Sequence, residues 1–216
     1  MDNSQRCFEL LAAGDDDGLR RILDQDPGAA AARDAAGVSL LMQALYRGRR
    51  DLAETIAGKK KEIDIFEAAS LGRLERLEEC ARDRSTVNSR SKDGFTALHF
   101  ACFFGPPEAV RLLIGKGAEV GSVASNPMKV MPLHSAASTR NLEAARLLLE
   151  HGAPANARQQ GGWVPIHAAA QNGDLAMAQL LLRHGADPEL ANDEGKTPAA
   201  VAREKGHAEI AEMLGG

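Results

Sequence analysis

Aromatic residues are scarce in this 216-residue chain: six Phe, one Tyr and one Trp, or 4% of the total. The 44% hydrophobic content therefore rests largely on Ala and Leu. Such residues lose little conformational freedom on entering a helix, so helices are predicted throughout. Cysteine is also short. Cys7, Cys80 and Cys102 are odd in number and fit no metal-ligand spacing, which points to free buried thiols in a reducing compartment. No run of 18 apolar residues occurs, so no membrane span is expected. The opening MDNSQRCFELLAAGDDDG lacks the cationic start and apolar stretch of a secretory signal, and a cytoplasmic location is the expectation. Excess positive charge is missing too. The formal net charge is −4, which disfavours a general attraction to nucleic acid. The one basic run, Lys59-Lys60-Lys61, has no interleaved aromatics and reads as a solvated loop.

Signatures of chemistry are lacking as well. There is no glycine-rich phosphate loop, no G-x-S-x-G elbow and no H-E-x-x-H pair. DDDG at 15–18 lacks the alternating ligands and closing glutamate of a calcium loop, and reads instead as acidic residues opening a helix. Neither an enzyme nor a cofactor is expected.

What is present is a period. ALHFACFFGPPEAVRLLIGKGA (97–118) aligns with PLHSAASTRNLEAARLLLEHGA (132–153) and with PIHAAAQNGDLAMAQLLLRHGA (165–186). His99, His134 and His167 follow one another at 35 and 33 residues. A fixed period of this size signals a solenoid, in which each unit buries its apolar face only against its neighbours. Weaker copies place Phe8, Met42, Phe66 and Ala200 at the histidine position. The chain then reads as one domain over 1–216, with units at about 4–33, 34–60, 61–90, 91–125, 126–158, 159–191 and 192–216. Phe66 follows Met42 by only 24 residues, so the connection between the second and third units is cut to a short polar link at 59–62.

The pattern resembles the ankyrin repeat. Pro132-Leu133-His134, Pro165-Ile166-His167, Thr197-Pro198 and the Gly-Ala pairs beginning at Gly117, Gly152 and Gly185 carry the resemblance. It implies an all-α, helix-pair solenoid with short β-hairpin fingers, and a histidine that bonds neighbouring backbone to link adjacent turns. The chain departs from the pattern in places. Ala97 replaces a proline, Met131 and Val164 replace the capping threonine, and Lys129 and Arg140 replace two glycines. Losing a threonine cap costs roughly 1 kcal/mol, so looser fingers are expected there. Gly105, Gly173 and Gly206 are expected to end the first helices in a left-handed conformation. A metal-binding histidine ladder is disfavoured. Packed helices stand about 8–10 Å apart, whereas zinc needs ligands at about 2 Å.

The resemblance also implies which positions face a partner: the residue before the threonine slot, and the two before the glycine ending the first helix. Phe95, Phe103, Phe104, Val130, Trp163 and Tyr46 occupy such positions. Five of the eight aromatics therefore sit where structural demand is low, while Phe8, Phe66 and Phe100 fall in core slots. Phe95, Phe103, Phe104, Val130 and Trp163 belong to three consecutive units and are expected to form one patch, with Met128 of the long finger 121–130 beside it. Exposed aromatic clusters with polar neighbours are what protein-binding surfaces use. The expected function is a non-catalytic scaffold binding a protein or peptide on its concave face, as a monomer without nucleic-acid or membrane contact. Self-association through the same patch is the alternative, and a catalytic or metal-dependent role the third. Padding between helices is the competing account of each phenylalanine.

Overall fold

Segments rich in Ala and Leu, with Asp, Ser or Thr in front and often Gly behind, fold into fifteen α-helices in the computed structural model, which describes residues 2–215. They form seven antiparallel pairs: α1 (Asn3–Ala13) with α2 (Asp16–Gln25), α3 (Leu40–Tyr46) with α4 (Arg50–Lys59), and α5 (Ile65–Leu71) with α6 (Leu74–Cys80). After a single turn, α7 (Arg84–Val87), come α8 (Ala97–Phe104) with α9 (Pro107–Gly115) and α10 (Pro132–Ser138) with α11 (Leu142–Glu150). The last pairs are α12 (Pro165–Asn172) with α13 (Leu175–Arg183) and α14 (Pro198–Glu204) with α15 (Ala208–Gly215). Fully buried leucines and isoleucines, among them Leu98, Leu113, Leu133, Leu148 and Ile166, link neighbouring pairs into one core running from Cys7 to Leu214. DDDG opens α2 as expected, with the Asp15 carboxylate accepting from the Gly18 amide at 2.8 Å.

The fingers are not β-hairpins. Among the described residues there is no strand, only an isolated antiparallel bridge between Arg33 and Ser39. Each finger is too short for a ladder and is closed by two or three backbone bonds. Examples are Ser91 N–H to Phe95 O at 2.8 Å, Gln159 N–H to Trp163 O at 2.8 Å and Asn192 N–H to Lys196 O at 3.0 Å. Fingers also bond to their neighbours: Ser125 N–H to Gly94 O at 3.0 Å, Gln160 N–H to Met128 O at 2.9 Å and Asp193 N–H to Gly161 O at 2.9 Å.

The histidines explain why the helices keep their starts without threonine. Nδ1 of His99, His134 and His167 accepts from the backbone amide of Thr96, Met131 and Val164 at 3.2, 3.1 and 3.2 Å. Nε2 then carries the hydrogen and donates to Val130 O, Ala157 O and Lys196 O at 3.0, 2.9 and 3.1 Å, one repeat onward. Burial pushes the pKa of His99 and of His134 down to about 4, and lowers that of His167. In the neutral imidazole one nitrogen accepts and the other donates, so the neutral ring fits this relay and the protonated ring does not.

One glycine differs from its expectation. Gly173 and Gly206 are left-handed, with φ of 67° and 79°, but Gly105 is extended at φ −87°, ψ 170°. Pro106 follows it, and the residue before a proline is forced away from helical backbone. Glycine is still required there, because a Cβ would lie 2.3 Å from Ala69 O. Conversely, Lys129 and Arg140 adopt the left-handed conformation of the glycines they replace, at φ 51° and 59°. The repeat geometry is kept at the expense of local strain.

The junction between α3/α4 and α5/α6 is built differently. The helices α5, α8, α10, α12 and α14 pack closely in succession, but α3 and α5 stand further apart. Side chains fill the gap left by the missing finger. Lys60 Nζ donates to both Glu67 carboxylate oxygens at 2.6 and 2.7 Å, the Ser39 hydroxyl donates to one of them at 2.6 Å, and the Asp64 amide to the other at 3.1 Å. Glu67 is fully buried and the Lys60 side chain nearly so. Lys59 pairs with Asp24 at 2.8 Å. The lysine run is therefore not a solvated loop. It supplies the ion pair that stands in for backbone contacts, and only Lys61 is left exposed.

Candidate functional site

Six aromatic rings from three repeats meet on the finger-bearing side. Phe100, buried in α8, lies at the centre, with ring centroids 5.6 Å from Phe95, 5.9 Å from Phe66 and 6.5 Å from Tyr46. Tyr46 lies 5.9 Å from Phe104, which in turn meets Phe103 edge-on at 4.7 Å. The edge-to-face pairs among them, Phe66–Phe100, Phe95–Phe100 and Phe103–Phe104, are each worth about 0.5–1.5 kcal/mol beyond area burial.

Local sequence accounts for this convergence. The third repeat carries Ser70 and Leu71 where the fourth carries Phe103 and Phe104, and both of those residues are buried. With the small Ser70 at the place of Phe103 and no finger in front of it, Tyr46 reaches across the third repeat to the fourth. Its hydroxyl donates to the carboxylate of Asp93, whose other oxygen accepts from the Ser91 hydroxyl at 2.5 Å. Burial first, and then the bond to Asp93, hold the Tyr46 phenol well above its ordinary pKa.

Beside these rings lies an apolar cavity of about 760 Å³, whose walls include Tyr46, Phe95, Phe103, Phe104, Met128 and Val130. Tyr46, Phe103 and Met128 are 42%, 46% and 50% exposed, whereas Val130 is buried and its carbonyl receives the His99 bond. Asn126 and Gln159 add polar atoms at the rim. A smaller hollow of about 260 Å³ occupies the place of the missing finger, and shares Asp93 and Phe100 with the first. A third, of about 790 Å³ on the other side of α6, is lined by charged groups that are mostly paired: Arg73 with Glu54, and Arg76 with Glu62 and Glu79.

Five of the six expected contact residues thus border one cavity, together with Met128. Trp163 stands outside it, half-buried with its ring 5.3 Å from that of its own His167. Sequence reasoning missed the contributions of Phe66 and Phe100, which were assigned to the core, and of Asp93 and Gln159. It also missed a recurrent arginine. Arg33, Arg90 and Arg158 each reach four residues ahead to a glycine carbonyl, Gly37, Gly94 and Gly162, at 3.0, 3.2 and 3.3 Å. The RxxxG spacing in three fingers was the available signal. Among the described residues no three His, Cys, Asp or Glu side chains converge as metal ligands, and no helix is long and apolar enough to cross a membrane.

Known proteins share these repeats. BCL-6 corepressor-like protein 1 of Homo sapiens is 37% identical over 93 residues, covering 43% of this chain and 5% of that protein. The B-cell lymphoma 3 protein homolog of Mus musculus is 40% identical over 73 residues, covering 34% of this chain and 16% of its own length. Zinc finger CCCH domain-containing protein 24 of Oryza sativa subsp. japonica is 40% identical over 117 residues, covering 52% and 13%. The chain thus spans at most 16% of the length of these three relatives. The family profile described as ankyrin repeats in three copies matches residues 65–159 and 133–215, in the same register as the helix pairs and histidine relay, and the chain belongs to the ankyrin-repeat family.

Proposed function

We propose that this chain is a non-catalytic interaction module that binds a protein or peptide on its finger-bearing face, with the aromatic cavity as anchor site. One observation carries the reading. Of the five large apolar side chains left exposed among the described residues, Tyr46, Phe103 and Met128 border the same cavity, while Leu74 and Val123 lie apart from it. Rigid aromatic anchors in a central pocket commonly dominate interface energy. Trp163, one repeat further along, serves as an outlying contact.

The test is affinity capture from the native lysate with wild type and a Phe103→Ser, Phe104→Ser variant of matched thermal stability. A protein retained by the wild type and lost by the variant supports the reading. Equal retention moves the site to another face.

A further inference from the structure

Resting on the interaction reading above, we infer that the partner segment is acidic: a bulky apolar side chain fills the aromatic cavity, and a neighbouring Asp or Glu side chain sits in the slot left by the missing finger. The two hollows adjoin, because Asp93 and Phe100 line both. Their chemistry differs. The cavity is walled by rings and by Met128, while the slot has Arg33, Arg90 and Lys92 around an apolar floor that includes Met42 and Phe66.

Charge accounting favours an anion there. Arg33 is neutralised by Asp64 at 3.1 Å. Arg90 bonds only neutral oxygens, Gly94 O at 3.2 Å and Ser122 Oγ at 3.3 Å, and forms no ion pair among the described residues. Lys92 has no carboxylate partner there either, and its stem packs against Gly37. Asp93 is the one opposing carboxylate left; its oxygens accept from the neutral hydroxyls of Tyr46 and Ser91, so it keeps its charge and the slot holds Arg33, Arg90 and Lys92 against Asp64 and Asp93, an excess of one positive charge. Lys129, exposed in sequence between the cavity-lining Met128 and Val130, adds a third cation without an ion pair among the described residues. This face therefore carries a local positive excess on a chain whose net charge is −4. Complementary potentials of this kind select partners and speed encounter. Asp93, which accepts from the Tyr46 hydroxyl, lines both hollows and so joins the apolar subsite to the charged one.

The test is panning of a random-peptide phage library on the full chain, followed by fluorescence anisotropy with the synthetic consensus peptide. Wild type is expected to enrich peptides with a Phe, Trp, Leu or Met close in sequence to an Asp or Glu. Replacing that acid by Lys is expected to weaken binding about fivefold, the upper range for one exposed ion pair. Lys92→Glu is expected to reverse that order while keeping the apolar anchor, and Lys92→Gln, used if the first variant melts lower than wild type, to remove the preference for the acid. Enrichment of apolar anchors without acidic neighbours, or with basic ones, overturns this inference and leaves the interaction reading standing. No enrichment from a chain that stays monomeric overturns both. No enrichment from a chain whose mass doubles with concentration assigns the groove to a second copy, and also overturns it.

Discussion

Two kinds of junction, opposite in construction, stand out along this solenoid. In the fourth, fifth and sixth repeats, the first helix is tied to the next finger by a neutral histidine that caps its own helix and donates to a carbonyl one repeat away. Between the second and third repeats there is neither histidine nor finger, and a fully buried glutamate held by Lys60, Ser39 and the Asp64 amide takes their place. The first arrangement spreads the connection over many backbone bonds. The second concentrates it in one ion pair, where loss of a single partner leaves a buried charge uncompensated. The omitted finger also opens the slot beside Phe66 and lets Tyr46 cross to Asp93, so the irregular junction shapes the candidate site.

This contrast predicts where the molecule breaks. Glu67→Ala is expected to destabilise most, by about 3–5 kcal/mol in urea unfolding, because it strands a buried ammonium. The paired change Lys60→Met, Glu67→Met is expected to cost much less, since it removes both charges. A double-mutant cycle checks this, and equal losses for the single and paired variants would break the distinction.

Next in size is His134→Ala, which removes both partners of the relay, at Met131 N–H and Ala157 O, and is expected to cost about 1–3 kcal/mol. The relay also sets a pH dependence. The folded pKa of His99 and of His134 is depressed to about 4 from an ordinary value of 6.5. Their contribution is therefore fully present above 6.5 and lost as pH falls through about 4. Thermal melts between pH 7 and pH 4 should show this fall, and His134→Ala should flatten part of it. Smallest is Lys129→Gly, which relieves left-handed strain and should raise stability by about 1 kcal/mol or less after the entropy cost of glycine.

The regular half was legible from sequence because its determinants are local. A histidine at a fixed period, prolines at helix starts and Gly-Ala at helix ends each specify one bond or one dihedral. Gly117, Gly152 and Gly185 take the left-handed turn that lets Ala118, Ala153 and Ala186 donate back to Leu113, Leu148 and Leu181. The short connection before Phe66 was legible as a length. What replaced the finger was not, because Lys60 and Glu67 pair only through the three-dimensional gap it leaves. The hairpin expectation failed for a local reason, since two or three closing bonds per finger do not make a ladder. At the candidate site, five of the six residues picked out at undemanding positions border one cavity. Phe100 was hidden by its core slot, and Tyr46–Asp93 depends on the small Ser70 lying between them in the stack.

The most direct measurement of the central claim is equilibrium urea unfolding of Phe103→Ser, Met128→Ser together with its capture of a library-selected peptide. Both side chains are about half exposed, so the account predicts a loss of no more than about 0.5 kcal/mol per site with peptide capture abolished. A loss of several kcal/mol, or full stability with capture intact, would contradict it.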